Sequence, residues 1–112
     1  MNDTTAYKIL TADQWAALNA DTFAGAPIDQ ADGFVHLSTA AQLAETLDRR
    51  FSGQNGLVIA AIDLMALGSA VRWEPSRQGQ LFPHVYAPLT RDAVIAWCPV
   101  ERDSKGALRL PK

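Results

Sequence analysis

A chain of 112 residues is long enough for one domain that buries roughly two thirds of its unfolded surface, and too short for two independent cores. Hydrophobic residues make up 48% and charged residues 20%, which excludes disorder on compositional grounds. The formal net charge of -2 comes from interspersed acidic and basic residues, so no basic stripe exists to follow duplex nucleic acid or an anionic membrane.

Tyr7 to Leu10 reads as a short strand. Thr11 then caps a helix, Gln14 completes a capping box, Leu10 can staple against Trp15, and the helix ends near Ala20. DTFAGAPIDQADG, residues 21–33, reads as a loop, with Asp29 and Asp32 as loop and turn residues. DGFVHLST, residues 32–39, follows as a strand. Alternation puts His36 and Ser38 on one face, with Val35 and Leu37 on the core side.

Thr39 and Gln42 repeat the capping-box spacing, and Leu43, Leu47 and Phe51 make one apolar stripe along the second helix. FSGQNG, residues 51–56, stops it, and LVIAAID runs apolar without alternation, as a central strand covered on both faces does. Asp63 to Gly68 reads as a single helical turn. In AVRWE, Val71 and Trp73 share one face and Ala70, Arg72 and Glu74 the other. PSRQGQ is a turn, and LFPHVYA aligns Phe82, His84 and Tyr86, while Pro83 argues for an edge position or a bulge. VIAWCPV closes the sheet, and the tail from Glu101 is polar and frayed, with LRL able to add a weak strand. The order is βαβαβ and then three strands, an α+β domain over residues 7–100 with polar termini at 1–6 and 101–112.

Cys98 stands alone in an apolar run, which suits a buried thiol. MNDTTAYK lacks the basic and apolar parts of a secretory signal, and no apolar segment approaches a membrane span, so a cytoplasmic protein is expected.

The polar residues on apolar strands carry the possible chemistry. His36 and Ser38 lie near a strand-to-helix junction, where outward N–H groups favour an anion, and a phosphate or a sugar hydroxyl fits there. Taken alone they suit a half-buried histidine and a helix cap better. If residues 70–74 and 81–86 are neighbouring strands, Arg72 and Glu74 can reach His84 or Tyr86, to hold an anionic ligand and a ribose hydroxyl. An exposed ion pair is the simpler account of the same residues. Two distant histidines without ligand spacing speak against a metal site. A triad of Ser38, His36 and Asp63 is disfavoured, because Ser38 points alongside His36 and no G-x-S-x-G elbow exists. Trp15, Trp73 and Trp97 read as core packing, with Trp73 able to face a cleft rim.

YKI near the start, DGFVHLSTAAQLAET in the middle and RWEPSRQGQLFPHVYAPL toward the end together resemble the domain of unknown function 952 family, from about Tyr7 to Val100. That family is similar to the ADP-ribosyltransferase fold, a split mixed sheet of about six strands with two main helices and a nucleotide cleft between the sheet halves. FVHLS also resembles the HVHLS stretch of the RNA 2'-phosphotransferases. The resemblance implies that the cleft binds NAD or a related nucleotide; no metal is expected, on the histidine spacing above. It implies catalytic roles for Glu74, His36 and His84, and cofactor contacts from Ser38, Arg72, Tyr86 and Lys8. The first motif strand departs from NAD-using relatives, which carry a His or Arg where this chain reads YKI. The alternative is therefore a binding module that keeps the cleft without the reaction.

Overall fold

The computed structural model describes residues 4–111; of the expected polar termini, residues 1–3 and 112 lie outside the described residues. Among the described residues, six strands form two three-stranded sheets. In the first, β3 (Val58–Asp63) lies between β1 (Thr5–Leu10) and β6 (Val94–Pro99). In the second, β5 (Leu81–Val85) lies between β2 (Val35–His36) and β4 (Val71–Pro75). Every strand pair is antiparallel, which corrects the expectation of a mixed sheet. The chain reaches each neighbouring strand by a reversal of direction, so no parallel pairing arises.

One core joins the sheets. Ala6, Leu10, Ala60 and Ile62 from the first sheet meet Val35, Leu37 and Val85 from the second, all nearly inaccessible to solvent. On the opposite face of the first sheet, Ile9 and Ile59 pack with Leu43 and Leu47 of α3 (Ala40–Arg50). β3 is thus covered on both sides, which is why its sequence shows no alternation. The sheets also touch through backbone at one rung, where Tyr7 and Ser38 exchange N–H···O bonds of 2.8 and 2.9 Å.

Local signals account for the helices. α1 (Ala12–Asn19) and α3 both start on complete capping boxes, at Thr11 with Gln14 and at Thr39 with Gln42. The single turn α4 (Leu64–Leu67) follows Asp63, whose carboxylate accepts from the Met65 N–H at 3.0 Å. Asp63 is thereby committed to a cap.

Several further expectations are corrected. Residues 21–33 are not all loop, because Pro27–Asp32 forms α2, with proline in the first turn and Gly33 ending it at φ 84°. Pro83 is in the central strand of its sheet, opposite Trp73, and not at an edge. Its carbonyl accepts from the Leu37 N–H at 3.1 Å, so its missing N–H also faces β2, at the rung where β2 leaves toward Tyr7. The tail is not frayed: Arg102 bridges Leu108, and Leu108 and Leu110 pack on the α3 side of the core. Trp97 departs from core packing, with 47% exposure on edge strand β6, where its ring lies 5.0 Å from that of Trp15. Trp73 packs against the core and not at a cleft rim. Among the described residues, no helix is long and apolar enough to cross a membrane.

Candidate functional site

The site follows from the register of the second sheet. His36 pairs with His84, and His84 with Arg72 across the next strand, so all three side chains leave the same face. Val35, Val85 and Val71 pair one step away and point into the core. Phe34 stacks on His84 with ring centroids 4.0 Å apart, and the two imidazoles lie 5.4 Å apart edge to face.

Each histidine has a carboxylate. His84 Nδ1 is 2.7 Å from Glu74 Oε1, which also accepts the Tyr86 hydroxyl at 2.8 Å. A carboxylate only accepts, so this bond places a proton on Nδ1, and in the neutral ring Nε2 is then the acceptor. The His84 and Tyr86 hydrogen bonds hold the Glu74 carboxyl below its ordinary range, and the bond to Glu74 pushes the Tyr86 phenol up. Arg72 closes this cluster, its guanidinium 4.8 Å above the Tyr86 ring.

His36 is anchored from below. Asp29 Oδ1 accepts from its ring Nδ1 at 2.7 Å and from its backbone N–H at 3.0 Å, while Asp32 Oδ2 is 2.9 Å from Nε2. Asp29 is itself held by the Lys8 ammonium at 2.9 Å and by the Ala26 N–H at 2.8 Å. Burial raises the Asp29 pKa, but the bonds from His36 and the Lys8 charge outweigh it and bring the carboxyl down to about 2. Burial lowers the Lys8 pKa, an effect that Asp29 partly offsets.

Between this sheet face and α3 lies a cleft of about 420 Å³, lined by His36, Ser38, Thr46, Arg77, Phe82 and His84, with Arg49 and Arg50 from the last turn of α3. That volume is within the roughly 300–1,000 Å³ usual for small-molecule sites. A family model described as "Protein of unknown function (DUF952)" matches residues 9–97. The chain belongs to the DUF952 family. The crystal structure of protein CC0527 from Caulobacter crescentus superposes with a TM-score of 0.84 at 41% identity, covering 96% of this chain and 95% of that one. The solution NMR structure of CC0527 gives 0.78 at 40% identity, covering 96% and 94%. No curated protein matches.

The DUF952 chain brings its sequence-predicted residues together in two groups. Arg72, Glu74, His84 and Tyr86 form one cluster, and His36 and Ser38 line the cleft beside it. Of this cluster only His84 lines the cleft; Arg72 and Glu74, expected in its lining, lie outside it, and Tyr86 lines a separate pocket with Phe34. Lys8 lies beneath the site, its ammonium turned onto Asp29 and the His36 carbonyl. The Ser38 hydroxyl shares a 3.1 Å hydrogen bond with Thr46, and Thr39, not Ser38, caps α3. Asp29 and Asp32 are corrected from loop residues to the partners of His36. A local signal existed for Asp29, since a carboxylate two positions after Pro27 can close on the Ala26 N–H. Arg49, Arg50 and Arg77 were hidden in a helix end and a turn. Among the described residues, no group of three His, Cys, Asp or Glu side chains is placed to hold a metal ion.

Proposed function

We propose that this DUF952 chain binds NAD or a closely related nucleotide in the cleft and acts as a transferase at its ribose, with the sheet halves of an ADP-ribosyltransferase-like fold on either side. The observation that carries the reading is the pair of carboxylate-oriented imidazoles in one cleft with three arginines. The near-separation of the sheets, linked at the Tyr7–Ser38 rung beside the cleft, supports the split-sheet part.

The chemistry assigns roles. As the nicotinamide C–N bond breaks, its electron pair leaves with the base and the sugar becomes positive. An ionised Glu74, kept so by His84 and Tyr86, favours that transition state. His84 Nε2 takes the proton of the attacking hydroxyl, His36 turns its Nε2 from Asp32 to a ribose hydroxyl, and Ser38 orients the nicotinamide amide.

One feature favours the second reading, a binding module without chemistry. β1 offers no histidine or arginine to the cleft, and its Lys8 ammonium is bound to Asp29. Incubation with NAD and assay of free nicotinamide separates the two. Release that Glu74→Gln removes, with binding nearly intact, supports the transferase. Saturable binding without release makes it a module, and neither binding nor release removes NAD from the account.

A further inference from the structure

Arg77 has an arrangement that the ribose chemistry does not use. It stands in the turn after β4, where Gln78 takes a left-handed φ of 58° that side chains rarely adopt. The Ser76 N–H to Gln80 carbonyl bond of 2.8 Å closes this turn and aims Arg77 back at α3. Its guanidinium lies 5.0 Å above the Phe82 ring, and one Nη donates to Thr46 Oγ1 at 3.1 Å. Thr46 in turn shares its hydroxyl bond with Ser38.

The charge is incompletely matched. The Arg77 side chain is only 15% exposed, its nearest carboxylate is Glu45 at 3.7 Å, and Glu45 already accepts from Arg49 Nε at 3.2 Å. Among the described residues, Arg77 Nε is buried without any hydrogen-bond acceptor. A guanidinium withdrawn from water with donors to spare is unfavourable on its own and is stabilised by an anion that accepts from its planar fork. An ordinary helix-end role covers Arg49 and Arg50, but not Arg77, which comes from a different element.

We infer that the α3 side of the cleft is a phosphate-binding subsite, anchored by Arg77 with the Thr46 hydroxyl and with Arg50 beside it. This rests on the reading of the cleft as a nucleotide site and specifies which end of it takes phosphate. The shared chemistry is a phosphate group, from either a diphosphate bridge or a terminal monoester. Because Thr46 is bonded to Ser38, two residues from His36 on the same face, the phosphate is held next to the imidazoles.

The test is a series of NMR titrations of the unmodified chain with inorganic phosphate, adenosine, AMP, ADP and NAD, following the arginine Nε–H signals and backbone amides. Shifts at Arg77 and Thr46 with every phosphate-bearing probe, and binding of adenosine weaker by tenfold or more, are expected. Tighter AMP than ADP identifies a monoester, and the reverse a diphosphate. Arg77→Gln should weaken AMP to the level of adenosine, Arg77→Lys should recover part of the loss, and Lys105→Gln, which removes a charge from the exposed tail, should change nothing. NAD binding that Arg77→Gln leaves unaltered, with no response to phosphate, overturns the subsite while the NAD reading stands. Arg77-dependent AMP binding without NAD binding does the opposite.

Discussion

The two histidines of this site are built as opposites. His36 keeps 23% of its side chain exposed and rests on a carboxylate that is 2% exposed, whereas the His84 ring is 6% exposed and its carboxylate, Glu74, 33%. In the first pair the buried partner is the charge, and it is locked by Lys8 and backbone N–H groups. In the second the buried partner is the ring, and the charge faces outward. The same hydrogen bond therefore serves folding at Asp29 and leaves Glu74 available for a ligand.

Substitutions should split along that line. Asp29→Asn keeps the shape but strands the Lys8 ammonium in the interior, and a loss of about 3–5 kcal/mol is expected in urea unfolding. Acid should remove the same contribution more gently. The folded pKa of Asp29, about 2, lies below its ordinary value of 3.8, so the carboxylate stabilises the fold above that ordinary value and the benefit fades as pH falls through the folded one. About 2 kcal/mol should disappear between roughly pH 5 and pH 2, and the Asp29→Asn variant should lack this part of the acid transition. Lys8→Met should cost less, about 1–2 kcal/mol, because Asp29 retains the Ala26 N–H and both His36 donors. Glu74→Gln should leave Tm near that of the unmodified chain, since its carboxylate is solvated, and act on turnover instead. A large fall in Tm for Glu74→Gln with none for Asp29→Asn would reverse the division of roles.

The same contrast shows what sequence reading reaches. Alternation along FVHLS aligned His36 with Ser38, and along LFPHVY His84 with Tyr86, because strand periodicity is a local property; that the two pairs share a face comes from the register of β2 on β5. The capping boxes at Thr11 and Thr39 were legible for the same reason. Asp29 was not, since its meaning comes from Lys8, 21 residues away, and a carboxylate in a Gly- and Pro-rich stretch otherwise reads as a turn. Arg77 was lost in PSRQGQ, where nothing local shows that the turn folds back onto Thr46. Pro83 misled because the edge-strand rule assumes full-length neighbours, and β2 is two residues long.

The most direct measurement is a titration of the intact chain with NAD, observed through the imidazole signals of His36 and His84. The account predicts saturable shifts of both rings, together with Ser38 and the cleft arginines, while the tail beyond Glu101 stays unmoved. Absence of any shift at these rings with NAD at millimolar concentration would contradict it, and the cleft would then have to be assigned to another class of ligand.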